Sequence, residues 1–415
     1  MRIRSIPAKS NPATQAGKSI LALLLFVVFL VASALSVQAQ ERASSPEPGK
    51  AVTAPLVTQP APTVTGTGVT TTAPVAKETA TQEPDKPVPH IALLVPLASK
   101  MFSRVADALK QGFVAGAEAD GKNAMPYRIY TTEDEGASLA GQYRKAVSEG
   151  ALAIIGGVTR DGAGAIARES RLLPTLALNA PAVASDNDLP DRFFYISLSL
   201  DLEAKLIART ASNEGFKGIA LVVAKNPLAQ RIQESFEKEW RQLGGDIVAT
   251  ISYGTDANDA TRVASAMEKI GSKANAVFLA ADAATARTVR PYLPAGMPVF
   301  ATSHSVDPHA QAIANLDMDT VRYLEMPWFA EPDHIAVMAY AKPAQALAVD
   351  YERLYALGID AWRLGQLIAK NDDARKLPPL DGVTGRITLD GHQFTRAPSS
   401  VEVRDGKTTL FRRSE

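Results

Sequence analysis

A short polar loop follows an apolar segment and carries the residues of this chain most suited to binding an anion. Gly157-Val-Thr-Arg-Asp161 comes after the apolar run 152–155 and precedes an alanine-rich segment. If a helix begins here, its first amides are unpaired, and Thr159 with those amides could bind an anion. The alternative needs no ligand, because Thr159 and Asp161 are residue types that cap a helix.

Other polar residues stand where apolar runs end. Asn179 follows a predicted strand at 175–178, and Ser197 follows one at 193–196. The segment from Phe193 to Leu198 has no arginine, so a charged ligand there would lack a matched charge. The full set of candidate ligand-binding residues is Ser99, Thr159, Arg160, Asn179, Ser197, His304 and Glu325.

Metal, nucleotide and catalytic motifs are not indicated. The five histidines show no His-Glu-x-x-His spacing, so no metal site is predicted. The segment 162–167 imitates a dinucleotide fingerprint, but several residues separate it from the preceding strand. Small residues that let a helix pack closely explain it better. No Gly-x-Ser-x-Gly elbow occurs. We therefore expect no cofactor and no enzymatic activity.

The composition narrows the partners and the covalent chemistry. Lys plus Arg and Asp plus Glu both number 44, so no global field attracts a phosphate backbone, and nucleic acid is not expected as a partner. The absence of cysteine excludes disulfides, a thiol nucleophile and a lipid-modified cysteine in this sequence.

The first 39 residues resemble a secretory signal. Four basic residues between positions 2 and 18 precede an apolar run at 20–35, and Val37-Gln-Ala39 supplies small residues at the positions that a signal peptidase reads. We expect export to the periplasm, with either cleavage before Gln40 or an uncleaved membrane anchor. Residues 40–88 carry eight prolines and predict a disordered linker.

From His90 onward, apolar runs alternate with helical patterns. Ile91–Leu97 and Gly218–Val223 each begin such a series, which predicts parallel sheets with helices on both faces. The fold class is therefore α/β, with two doubly wound lobes. We assign 89–198 and 328–398 to the first lobe, and 199–327 and 399–415 to the second. The segments 385–389, 401–403 and 408–411 predict late short strands joined by Asp-Gly turns.

Several segments resemble known proteins. The stretch from Asp381 to Gly391 is similar to the hinge of the type I periplasmic-binding fold. Three further stretches, 301–304, 316–328 and 353–362, resemble in order and spacing the LppC/LpoA-like family of penicillin-binding protein activators. Three features differ from that family: the missing lipid-anchoring cysteine, a proline-rich linker where some members carry helical repeats, and Glu325 in place of the usual aspartate.

The resemblance implies a function and a partner. It implies a non-catalytic periplasmic protein that binds and activates a class A penicillin-binding protein, and the chain lacks the ordered Ser-x-x-Lys motif set of those enzymes. The alternative is a solute receptor of the same fold, with a small ligand in the cleft between the lobes. Trp328 and Phe329 are either buried where the chain crosses between lobes or exposed as a partner anchor. A membrane is contacted only if the signal stays uncleaved.

Overall fold

The structure is a computed structural model, and it describes residues 87–171, 173–182, 186–254, 256 and 258–411. The predicted signal segment and all but the last two residues of the predicted linker lie outside the described residues. The described part forms one compact unit that contains two sheets.

The described chain contains fifteen strands, and the last five follow one another without an α-helix between them. The strands are β1 (His90–Val95), β2 (Tyr127–Thr131), β3 (Ala151–Gly156), β4 (Thr175–Ala177), β5 (Phe193–Ile196), β6 (Gly218–Ala224), β7 (Asp246–Tyr253), β8 (Ala276–Ala280), β9 (Val299–Ala301), β10 (Val321–Glu325), β11 (Leu380–Gly382), β12 (Gly385–Asp390), β13 (Gln393–Ala397), β14 (Ser399–Arg404) and β15 (Lys407–Leu410). The α-helices are α1 (Ser103–Asp120), α2 (Ala137–Ser148), α3 (Arg160–Glu169), α4 (Leu200–Asn213), α5 (Pro227–Gln242), α6 (Asp259–Ile270), α7 (Ala283–Val289), α8 (Pro327–Ala330), α9 (Ile335–Met338) and α10 (Val349–Lys370).

The strands form two sheets with the same plan. The first has the order β11-β12-β13-β5-β4-β3-β1-β2, and the second has the order β15-β14-β10-β9-β8-β6-β7. In the first sheet β1 to β5 run parallel to one another, and in the second sheet β6 to β10 do so. Their central strands are buried on both faces, which explains the continuous apolar runs of the sequence. The predicted fold class, two doubly wound α/β sheets, is confirmed.

The chain passes between the sheets three times. It leaves the first sheet after β5, returns after β10, and crosses again between β13 and β14. The residues around these crossings therefore lie where both sheets can contribute side chains. The candidate site is built there.

Close contact between α10 and α1 brings the long helix onto the first sheet. A Cβ on Gly112 would lie 1.8 Å from the carbonyl oxygen of Tyr355, and one on Gly358 would lie 2.2 Å from that of Leu109. Only glycine allows the two backbones to approach so closely. The same helix also packs on β1, β3 and β4. This packing holds the first turns of α10 at the crossing between the sheets.

A buried carboxylate on α10 holds the predicted hinge. Asp360 accepts hydrogen bonds from the amides of Val383 and Thr384 at 3.1 and 2.8 Å, and from the Thr384 hydroxyl at 2.7 Å. Burial raises the pKa of Asp360, although the bonds from Thr384 oppose that rise. The turn between β11 and β12 is thus fixed to the helix.

Two strands differ from the sequence predictions, and one helix cap adds to them. Ser199 is the N-cap of α4, because its hydroxyl accepts from the Leu202 amide. Strand β11 was not predicted, and neither was β13, which follows the turn at 390–391 directly. Both are short, and β13 has few apolar residues, so alternation could not reveal it. Within the described residues, no helix has the length and apolar character to span a membrane.

Candidate functional site

An ion pair joins the two sheets near the crossing after β10. Arg353, in the first turns of α10, donates from Nη2 to Oε2 of Glu325 at 2.6 Å. Glu325 is the last residue of β10 in the second sheet, and only 2% of it is exposed. Its Oε1 also accepts from the Met326 amide at 2.9 Å. The guanidinium therefore ties a helix on the first sheet to a strand end of the second.

A second carboxylate joins this arrangement through Ser303. Glu203, in the first turn of α4, accepts from the Ser303 amide at 2.5 Å and from the Ser303 hydroxyl at 2.9 Å. Ser303 follows β9, and its Oγ also accepts from Arg353 Nη1 at 3.2 Å. Arg353, Glu325, Ser303 and Glu203 form one connected network, which we call the crossing cluster.

A further arginine lies beside the crossing cluster. Arg396 on β13 donates to the carbonyl oxygens of Ser197 and Thr384 at 3.2 and 3.0 Å. Burial lowers the pKa of Arg396, and the negative charge of Glu203 opposes that shift. The positive charge that the segment 193–198 lacks in sequence is therefore supplied by another strand. The prediction that this strand end has no matched charge is corrected by Arg396.

Burial sets the electrostatics of the crossing cluster. It raises the pKa of Glu203 to about 7, against the hydrogen bonds from Ser303 and the charge of Arg353. Burial lowers the pKa of Arg353, but Glu325, Glu203 and Asp350 raise it by more, so the guanidinium remains charged. With Arg396, two arginines face two glutamates. Both arginines are hydrogen-bonded within the chain, Arg353 to Glu325 and Ser303 and Arg396 to two carbonyl oxygens, so neither requires a charged ligand.

The loop at the start of α3 is occupied by a side chain of the chain itself. Glu135 Oε2 accepts from the amide of Thr159 at 3.1 Å and from its hydroxyl at 3.4 Å. The Thr159 hydroxyl accepts in turn from the Gly162 amide at 2.9 Å, so Thr159 caps α3. Of the two roles predicted for Thr159, the structure shows the capping of α3. The proposed anion position is filled by Glu135, whose pKa burial raises to about 7.

Two other predicted residues serve local structure, and a third is exposed on the surface. The Ser99 hydroxyl accepts from the amides of Met101 and Phe102, just before α1. Asn179 donates to the Val158 carbonyl oxygen at 3.0 Å and accepts from the Ala180 amide at 2.9 Å. Arg160 is exposed at the first position of α3. None of the three joins the crossing cluster through a hydrogen bond described in this part of the chain.

His304 lies next to Ser303 in the short 3₁₀ segment Ser303–Ser305. Burial lowers its pKa, while the charges of Asp350 and Asp282 oppose that change. The described residues hold no group of three histidine, cysteine or acidic side chains placed to bind a metal ion. His304 thus borders the crossing cluster, and burial there favours the neutral form of its ring.

Trp328 is a core residue at the crossing, which corrects its candidacy as an exposed anchor. Only 1% of it is exposed, and its Nε1 donates to Glu352 Oε1 at 2.7 Å. Phe329 is half-buried, with its ring 5.6 Å from that of His309 and 5.5 Å from the Arg353 guanidinium. Of the two predictions made for this pair, burial at the crossing is the one that holds for Trp328.

Two surface depressions lie away from the crossing cluster. One, of about 490 Å³, runs along β2 and α2 and is bordered by Arg128, Lys145 and Glu149. The other, of about 180 Å³, lies between the start of β5 and the end of α10. Neither is bordered by Arg353, Glu325, Ser303 or Glu203.

Sequence reasoning found one member of the crossing cluster and missed the rest. Glu325 was a candidate, whereas Glu203, Ser303 and Arg353 were not, and neither was Arg396 beside the cluster. A usable signal existed for two of them, because Ser303 lies in the motif 301–304 and Arg353 begins the motif 353–362. Glu203 and Arg396 carry no local signal, since their role arises from contacts between distant segments.

The fold and this site define a two-sheet protein of the type I periplasmic-binding class whose crossing region is occupied by its own charged side chains. Residues 72–398 match the family model "LppC putative lipoprotein". That match covers most of the chain, and the chain belongs to the LppC family.

Two curated relatives carry the same name. "Penicillin-binding protein activator LpoA" of Haemophilus influenzae is 26% identical over 315 residues, which cover 73% of this chain and 52% of that protein. The protein of the same name from Enterobacter sp. (strain 638) is 24% identical over 282 residues, or 58% of this chain and 38% of that protein. The chain thus spans about half or less of the length of these relatives, which are named as activators and not as enzymes.

Solved structures share the fold. The C-domain of LpoA (YraM) from Haemophilus influenzae, described as a regulator of PBP1A, superposes with a TM-score of 0.62 at 21% identity, covering 78% of this chain and 99% of that chain. A protein from Chromobacterium violaceum ATCC 12472, assigned as a branched-chain amino acid ABC transporter, gives a TM-score of 0.64 at 31% identity, covering 75% and 99%.

Proposed function

We propose that this protein is an exported, non-catalytic regulator that binds a class A penicillin-binding protein in the periplasm and favours its active state. Membership of the LppC family supports this proposal, as do relatives named as penicillin-binding protein activators. The export signal predicted in residues 1–39 supports the compartment.

The observation that carries the proposal is the occupied crossing region. Hydrogen bonds join Arg353, Ser303, Glu203 and Glu325 where a receptor of this class would bind a solute, and both terminal nitrogens of Arg353 are used in them. A charged solute would have to break these bonds and leave buried charges unpaired, at a cost of about 3–5 kcal/mol. Recognition of a macromolecule by the outer surface requires no such loss.

The proposal also includes the assignment of the segments to two lobes. We assign 89–198 and 328–398 to the first lobe, and 199–327 and 399–415 to the second, with the crossing cluster as the tie between them. The partner would then meet one fixed arrangement of the two lobes. Activation requires that this arrangement bind the active conformation of the enzyme more tightly than the inactive one.

Reconstitution with purified proteins tests the function. Residues 40–415 are mixed with each purified class A penicillin-binding protein of the same organism, and glycan polymerisation and peptide crosslinking are measured. We expect saturable binding and a saturable rise in at least one rate. The protein alone is the control for catalysis, and turnover by it would contradict a non-catalytic role. Absence of both binding and stimulation with every such enzyme would refute the proposal.

A solute receptor is the second candidate. The 31% identity to a protein assigned to amino acid transport favours it, as does the presence of Arg396 beside Ser197. A screen of melting temperature against amino acids, amides and muropeptides separates the two candidates, because a ligand that binds only the native state raises stability. A shift that rises with ligand concentration would favour the receptor. We expect no shift, since the internal network occupies the region.

A further inference from the structure

Two large apolar side chains project from one side of the short helix α9. Ile335 is 84% exposed and Met338 is 68% exposed, and no other large apolar residue of the described chain is as exposed as Ile335. Positions three apart on a helix share a face, so the two side chains form one patch. Exposed apolar groups placed together in this way commonly mark interaction sites.

The helix that carries this patch is held firmly. Val337, between the two exposed residues, is buried in an apolar cluster with Trp328 and Tyr355. The His334 ring accepts from the Ala336 amide at 3.2 Å and begins the helix. A patch on a fixed support loses little conformational freedom on binding, which favours affinity.

The chain that follows the helix is fixed as well. Tyr355 donates its hydroxyl to the Ala341 carbonyl oxygen at 2.8 Å. Lys342 lies over the Trp328 ring at 3.5 Å from its centroid. The exposure of Ile335 and Met338 is therefore a property of a packed segment and not of a loose one.

Acidic groups border the patch. Asp333 is exposed two residues before Ile335, and α9 packs against β11, where the exposed Asp381 lies 3.8 Å from the His334 ring. Glu331, near the start of the same segment, accepts from the Ser399 hydroxyl. The patch thus combines an apolar centre with two exposed carboxylates at its border, of which Asp381 has His334 and Arg363 beside it.

We propose that Ile335 and Met338, with Asp333 and Asp381 at their border, form the surface that docks the partner enzyme, in an apolar pocket lined at its edge by lysine or arginine. This inference rests on the proposed function. Self-association through the patch is disfavoured, because a two-fold contact would place the acidic border of one copy against that of the other. A basic partner surface satisfies both parts of the patch.

Two pairs of substitutions test the surface. The variant Ile335→Ser with Met338→Ser removes the apolar centre, and Ile313→Ser with Leu316→Ser is the matched control. Ile313 and Leu316 are also exposed and three residues apart, on the 3₁₀ segment Ala312–Met318. Binding to the purified enzyme is measured by biolayer interferometry. We expect affinity at least about tenfold weaker for the α9 variant, as for central apolar anchors, and no comparable loss for the control.

The acidic border is tested separately by Asp333→Lys. We expect severalfold weaker binding at low salt, with a difference that shrinks as salt rises, since exposed charges are screened. All variants should keep the wild-type melting temperature, because the changed side chains are exposed.

The possible outcomes distinguish failure of the docking surface from failure of the proposed function. If the unsubstituted protein binds and the α9 variant binds equally well, the surface is wrong and the proposed function stands. An equal loss for the control pair would also refute the surface. A dimer that the α9 substitutions dissolve would make a second copy the occupant and overturn the inference. If the unsubstituted protein neither binds nor stimulates any class A enzyme, both proposals fail.

Discussion

Two carboxylates of this chain accept hydrogen bonds from loop amides at strand ends, and they do different work. Glu135 binds the Thr159 amide and hydroxyl within the first-sheet layer, and no arginine or lysine of the described residues is hydrogen-bonded to it. Glu203 binds the Ser303 amide and hydroxyl, and Ser303 also receives Arg353 from a helix on the other sheet.

The comparison shows that a buried glutamate bound to a loop amide can have two different structural roles. Burial raises the pKa of both carboxyl groups to about 7, so each retains a proton more readily than a glutamate in water. Around Glu135 the result is a local support for the start of α3. Around Glu203, the adjacent Arg353–Glu325 pair extends the network across both sheets. Only the second arrangement can fix how the sheets sit together.

The largest expected effect comes from removing the arginine of the crossing cluster. Arg353→Met leaves Glu325 buried without its cation, and we expect a loss of about 3–5 kcal/mol in the free energy of unfolding. Urea denaturation measures it. Arg144→Met is the control, because Arg144 forms an exposed pair with Glu169 and should cost less than about 1 kcal/mol. A similar small loss for both would mean that the crossing cluster contributes no more than a surface pair.

A smaller effect is expected from pH. The pKa of Glu203 is raised in the folded state, so its stabilising contribution is present below about pH 4.5 and is lost as pH rises through about 7. We expect Glu203→Gln to reduce the fall in stability between pH 5 and 8 by about 2 kcal/mol. Urea denaturation across this pH range measures the free energy of unfolding. Glu135→Gln, which removes the other carboxyl with a raised pKa, is measured beside it. An unchanged pH profile for Glu203→Gln would show that this carboxyl does not titrate there.

The smallest effect concerns the local carboxylate. A Cβ on Gly162 would overlap with Glu135 Oε2, whereas the nearest atom to a Cβ on Gly164 would be 3.7 Å away. Gly162→Ala should destabilise by about 1–2 kcal/mol through overpacking. Gly164→Ala, on the same helix, should stabilise by about 0.5–1 kcal/mol. Thermal unfolding of the two variants gives the signs, and stabilisation by Gly162→Ala would mean that Glu135 moves aside freely.

Much of the fold was accessible from sequence. The strands β1, β5 and β6 are apolar runs bounded by polar residues, and the alternation with helices required parallel sheets. Strand β13 escaped because Gln393-Phe-Thr-Arg-Ala397 has a single large apolar residue. That omission mattered for the site, since Arg396 lies on this strand and supplies the charge that appeared to be missing.

By itself, the sequence determined which segments form strands and helices, because the period of apolar residues reflects the face that each element buries. It also determined the family, through three motifs in a fixed order. Only the tertiary structure decided that Arg353, Glu325, Ser303 and Glu203 meet, that Trp328 is buried and that Ile335 is exposed. Such contacts join residues 28 to 100 positions apart, and their burial depends on the packing of whole sheets, which no local pattern encodes.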